Sequence, residues 1–103
     1  MSIAQWTTPT FSLKFTEQAL DLTQAENVYV TFKKGGYILT KSGEALTVSE
    51  KQIDVYLSQE ECGGFAVGAV EIQTNWTDRA GNRCASEVAT TEISEQLLKK
   101  VVI

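Results

Sequence analysis

Catalysis requires a base, a nucleophile or a metal held in a pocket, and the acidic side chains available for it here are Asp21, Asp54, Glu60, Glu61, Glu71, Asp78 and Glu87. Most fall on outward strand positions or in turns. Glu60 and Glu61 could imitate a carboxylate dyad, but neighbours on one helical turn do not face each other. Ser58-Gln59-Glu60-Glu61 instead has the spacing of a capping box, in which the Ser58 hydroxyl and the Glu61 carboxylate serve each other's backbone amides. Asp78 and Asn82 flank a glycine-containing loop and could touch calcium, yet two oxygen side chains fall well short of the six to eight ligands, roughly, that calcium takes. The better expectation is a hairpin loop.

Cys62 and Cys84 are the two thiols, and the chain has no histidine to activate either one. Two cysteines do not make a disulfide framework, and spacing alone does not bring them within bonding distance. The expectation is two free thiols, with Cys84 serving as a small core residue. No phosphate-cradling loop and no metal-ligand spacing occurs, so no cofactor is expected.

Binding is the other chemistry to consider. Tyr29 and Tyr56 are out of phase with the apolar positions of their strands and should point outward, and Trp6 stands in the N-terminal lead-in. Exposed aromatics can anchor an interface, or two tyrosines can simply pair across strands on a wet surface. The tail Val101-Val102-Ile103 has a similar choice: it completes an edge strand of its own domain or adds to a neighbour's sheet. Trp6, Tyr29, Tyr56, Val101, Val102 and Ile103 are therefore the candidate interface residues.

The elements that must position these groups are strands. Val70, Ile72 and Trp76 alternate with Glu71, Gln73 and Asn75, and Phe11, Leu13 and Phe15 alternate with Ser12, Lys14 and Thr16. Further strands are expected over Val28 to Lys33, Tyr37 to Lys41, Leu46 to Val48 and Gln52 to Leu57. Gly35-Gly36 supplies positive backbone dihedrals for a tight turn. The stretch Glu17 to Asn27 carries Asp21 to Glu26, which reads as a turn or a single helical turn in which Leu22 plugs one end of the core. The last hairpin takes a definite register: with Thr77 opposite Arg83, Trp76 faces Cys84, Thr74 faces Ser86, Ile72 faces Val88 and Val70 faces Thr90. That places the large apolar residues on one face. Residues 1–9 read as an extended lead-in, and Ser94 as a possible cap for the C-terminal stretch.

The 103 residues suffice for one domain with a single core. About seven antiparallel strands, with one short helical turn near residues 58–62, predict an all-β, immunoglobulin-like β-sandwich, because a lone sheet would leave a face uncovered. Phe65 has no hydroxyl for a tyrosine corner, and Cys62, Trp76 and Cys84 are too close in sequence for an inter-sheet disulfide over a tryptophan. The likeness to antibody domains is thus architectural.

Nine basic against thirteen acidic residues, a net charge of -4, leave no clustered positive field for nucleic acid. No run approaches the roughly twenty apolar residues that span a bilayer, and the N-terminus lacks a secretory layout. The expectation is a protein that is cytosolic when made, with neither nucleic acid nor membrane as a partner.

Several phrases together resemble a known family. They are Thr8-Pro9-Thr10-Phe11, Asp21-Leu22-Thr23-Gln24-Ala25 followed by Val28-Tyr29-Val30-Thr31-Phe32, Leu57-Ser58-Gln59-Glu60-Glu61, Phe65, Gly68-Ala69-Val70-Glu71-Ile72-Gln73, and Gly81 with Ser86. In order and spacing they resemble small proteins from the tail-module region of prophages of Gram-positive bacteria, some related to the N-terminal immunoglobulin-like domain of phage upper baseplate proteins. The resemblance implies a tail or baseplate part, or an assembly accessory, that is virion-associated and has no catalytic residues to carry over. Its partners would be other phage tail or baseplate proteins, or itself. The chain departs from the pattern at Cys62, where a threonine is expected, and by ending soon after the sandwich with no stalk or receptor-binding domain. The rival expectation is a carbohydrate- or cell-surface-binding module that presents Trp6 beside an exposed tyrosine.

Overall fold

In the computed structural model, residues 2–16 and 20–95 are described. The alternating segments form β-strands, numbered in chain order: β1 (Ser2–Ala4), β2 (Thr10–Lys14), β3 (Glu26–Lys34), β4 (Tyr37–Ser42), β5 (Leu46–Val48), β6 (Gln52–Tyr56), β7 (Gly68–Thr77), β8 (Arg83–Ala85) and β9 (Ala89–Ser94). The larger sheet has the order β1-β9-β7-β3-β4, with β8 pairing on β7, and the smaller has the order β2-β6-β5. The chain crosses between the sheets at β1–β2, β2–β3, β4–β5 and β6–β7, in the manner of the immunoglobulin sandwich. The fold is all-β and sandwich-like, as the period of two predicts.

The inner faces carry the core. Phe11, Ile53 and Val55 from the smaller sheet meet Val30, Phe32, Val70 and Ile72 from the larger. The Phe11 and Phe32 rings lie 5.3 Å apart, and Phe32 and Phe65 lie 6.2 Å apart, within the range where tilted aromatic pairs attract. A 3-10 turn at Leu22–Gln24 is capped by the Asp21 carboxylate, which accepts from the Thr23 amide, and it buries Leu22 in the core.

Four sequence expectations change. The chain has nine strands among the described residues, and β1 pairs with β9 in parallel, so the larger sheet is mixed. Ser2–Ala4 is too short to show a period, and its partner lies some ninety residues away in sequence. The register of the last hairpin holds at Thr77↔Arg83 and Trp76↔Cys84, then slips by one. Ile72 pairs with Ala89 instead of Val88, and Val70 with Thr91 instead of Thr90.

A bulge causes the slip. The Thr74 amide donates to Ser86 Oγ (3.0 Å), the Ser86 amide donates back to the Thr74 carbonyl (2.8 Å), and Gln73 Nε2 donates to the Ser86 carbonyl (2.9 Å). A side-chain oxygen thus takes the place of a backbone acceptor, and one extra residue fits into the second strand. Val88 is consequently turned out, 51% exposed, while Thr91 and Ile93 face inward. The same slip carries Ser94 into β9, where its hydroxyl donates to the Ile3 carbonyl (3.5 Å). At the β3–β4 turn the positive φ is found at Gly35 alone, not at both glycines.

Candidate functional site

Glu61, Asp78 and Asp54 are structural braces. Glu61, in the short helix α1 (Gln59–Gly63), accepts the Ser58 amide at 2.9 Å while Ser58 Oγ accepts the Glu61 amide at 3.2 Å, so the capping box forms. Lys41 Nζ reaches both Glu61 oxygens, at 2.7 and 2.8 Å. Burial pushes the Glu61 carboxyl up, but the bonds from Lys41 and Ser58 outweigh it and hold it below the usual glutamate range. Asp78 closes its hairpin by accepting the Ala80 and Asn82 amides at 3.0 and 2.9 Å. These bonds, those of Asn82 first, hold its carboxyl low. Asp54 is held low by the Ser12 and Gln52 side chains. Each of these shifts keeps a carboxylate ionised, whereas a general acid working near neutrality needs its pKa raised. Among the described residues no group of three or more metal-ligating side chains converges.

The α1 corner is where aromatic residues gather. Phe65 lacks the corner hydroxyl, and Tyr37 supplies it from β4: its Oη donates to the Glu61 carbonyl (3.4 Å) and its ring meets Phe65 edge-on at 4.8 Å. Burial, then the Glu61 and Glu60 carboxylates, push this phenol up. Trp6, with φ +61°, lays its indole on Gly63, where a Cβ would come within 2.2 Å of the ring. Gln5 Nε2 donates to the Phe65 carbonyl (2.7 Å). Both cysteines are free, and Cys84 packs against the core as expected. Cys62 is the buried one, its thiol directed at the Ala4 carbonyl (3.4 Å), whereas Cys84 is half-buried.

The candidate interface residues are dispersed. Tyr29 lies on the outer face of the larger sheet and Tyr56, 51% exposed, on the outer face of the smaller. Trp6 is half-buried, its indole against Gly63 of α1. Val101, Val102 and Ile103 lie outside the described residues.

What sequence reasoning missed is an open seam between the sheets. Among the described residues β2 is an edge strand, paired only with β6. The bonds Leu57 amide to Pro9 carbonyl (3.0 Å) and Phe15 amide to Lys51 carbonyl (2.8 Å) show that the odd-numbered residues serve β6. The peptide groups of Ser12 and Lys14 therefore turn to the free side. Facing them across the gap are β8 and the Ser86 bulge. Between lies a groove of about 740 Å³, walled by Leu13, Phe15, Ala85 and Glu87 and floored by Ile72 and Trp76. It adjoins a second hollow of about 660 Å³, which shares Trp76 and Ala85 and carries Asp21, Asp78 and Arg79 on its rim. The Phe15 ring stands edge-on to Trp76 at 6.2 Å. An unpaired edge beside an apolar floor is the arrangement that accepts an added strand.

No protein-family profile matches the chain, and no curated protein matches it. Among solved structures it is similar to a candidate glycoside hydrolase from Bacteroides vulgatus ATCC 8482, with 14% identity and a TM-score of 0.54. The match covers 92% of this chain but only 16% of that one. A likeness at this identity shows the fold alone. No helix among the described residues is long and apolar enough to cross a membrane.

Proposed function

We propose that this chain is a non-catalytic structural protein of a prophage, a tail or baseplate component or an accessory to their assembly, acting through protein–protein contacts. The observation that carries the reading is the open seam: among the described residues, a groove floored by Ile72 and Trp76 beside a free strand edge is suited to another polypeptide. The family resemblance of the sequence supplies the context. A carbohydrate- or cell-surface-binding role is the less supported alternative, because its aromatic platform would need Trp6, whose ring is engaged with Gly63.

The test is to treat the source strain with a DNA-damaging agent, purify the released particles and search them by mass spectrometry. The expected result is peptides of this chain at stoichiometric level. Their absence from intact particles would remove the virion role and leave an assembly accessory, and specific binding on a glycan array would replace the reading with the carbohydrate one.

A further inference from the structure

We propose that strand β1 is exchanged between two copies of this chain, so that Ser2–Ala4 of each copy pairs with β9 of the other in a symmetric dimer. The exchange takes place at the α1 corner, away from the seam, and is independent of the role proposed above.

The receptacle for β1 selects the strand without selecting the copy that supplies it. β1 lies parallel to β9, with Ser2↔Glu92, Ile3↔Ile93 and Ala4↔Ser94 as partners. Ser94 Oγ donates to the Ile3 carbonyl, and the Cys62 thiol donates to the Ala4 carbonyl. The Gln5 amide donates to the Ser94 carbonyl (3.0 Å) and its Nε2 to the Phe65 carbonyl (2.7 Å). The side-chain bonds among these join residues between 58 and 91 positions apart in sequence. An identical strand from a second copy makes the same bonds and needs no new surface, which is why exchange is a low-cost route to a dimer.

The connection from β1 to β2 is short and strained. Gln5 is fixed to Ser94, and Pro9 is fixed to the smaller sheet, where its carbonyl accepts the Leu57 amide (3.0 Å). Only Trp6, Thr7 and Thr8 stand between these anchors, and the backbone from Gln5 to Pro9 reaches at most about 14 Å. It must cross between layers that pack roughly 10 Å apart and turn on the way. Pro9 steers Thr8 away from the helical region, so the turn falls on Trp6, which is held at φ +61°. Thr7 Oγ1 closes that turn by donating to the Ala4 carbonyl (2.7 Å). A bulky residue in the left-handed region is strained, and a short hinge under strain invites exchange, because the exchanged form lets it extend.

Opening the strand is the step that precedes exchange, and the structure lowers its cost. The ladder has three paired positions. Gln5 Oε1 is buried and finds no hydrogen-bond donor among the described residues. Lifting the strand returns this oxygen to water, which offsets part of the bonding given up.

The full chain refolded at high concentration should separate by gel filtration into a monomer and a dimer that persists on dilution. Deleting Thr7 shortens the connection to about 11 Å at full extension. It should raise the dimer-to-monomer ratio about tenfold, and inserting Gly-Gly-Ser after Thr7 should lower it by a similar factor. Should the deletion variant fail to fold, the full-length A4C/S94C variant, with Cys62→Ala and Cys84→Ser removing the native thiols, takes its place. Positions 4 and 94 are partners in the ladder, so oxidation should join two chains in the dimer fraction and close within one chain in the monomer fraction. A full chain that stays monomeric at every concentration, a dimer whose share ignores the loop length, or disulfides confined to single chains in the dimer fraction would each overturn the proposal. Absence of the chain from phage particles would overturn the virion role and leave this result standing.

Discussion

The α1 corner and the seam beside β2 are both built from aromatic residues at the junction of the two sheets, yet one is closed and the other open. At the corner Trp6 covers Gly63, Tyr37 covers Gly64 and reaches the Glu61 carbonyl, and Phe65 is 1% exposed. Along the seam Trp76 has Phe15 on one side and a groove on the other. The difference is one strand: β1 closes the larger sheet at the corner end, and among the described residues nothing pairs with the free edge of β2. Packing is thereby closed at the corner, while the seam leaves an apolar floor uncovered among the described residues.

Core truncation probes this contrast most strongly. Phe65→Ala should cost about 3–5 kcal/mol in urea unfolding, and Trp76→Ala distinctly less, since part of the indole already faces an unfilled space. Equal losses would mean that the seam is as tightly packed as the corner. Next in size is Gly63→Ala. Its Cβ would enter the Trp6 ring, and expelling the indole should cost about 1–3 kcal/mol and shift tryptophan emission to the red; an unchanged spectrum would show that Trp6 does not seal the corner.

A smaller effect is expected from pH. Because the Glu61 carboxyl is held below its ordinary range in the folded protein, its contribution is complete above the unfolded value of about 4.3. It is lost as the pH falls through the lower, folded value. Glu61→Gln should therefore be less stable than the parent by at most about 1 kcal/mol at neutral pH, with the gap narrowing in acid; a gap constant with pH would separate the corner's strength from this charge. Smallest of all is Val88→Ser, which should change stability by no more than about 0.5 kcal/mol. A loss of core size would return Val88 to the inner face and abolish the bulge.

The closed end was the more legible in the sequence, though not completely. Ser58 and Glu61 announce their box locally, and the inward positions of β3, β6 and β7 follow from alternation. Tyr37 as the source of the corner hydroxyl and Cys62 as its buried thiol were not visible, because both depend on how β4 and α1 meet in space. At the open side Trp76↔Cys84 was readable from the Asp78 to Asn82 loop. The slip three residues later was not, because it depends on Ser86 Oγ accepting a backbone amide, a choice no local pattern records. The seam itself is the lack of a strand, and a sequence cannot display a missing neighbour.

The parallel pairing of β1 with β9 also has a mechanical side. The chain enters β1 at Ser2 and leaves β9 at Ser94, at opposite ends of that short ladder. Tension applied through the two strands loads its hydrogen bonds in shear, all at once, instead of peeling them apart singly. The Gln5 amide to Ser94 carbonyl bond, at 3.0 Å, extends the loaded patch by one rung. A pull on the described chain between Ser2 and Ser94 would therefore meet this ladder as a single unit.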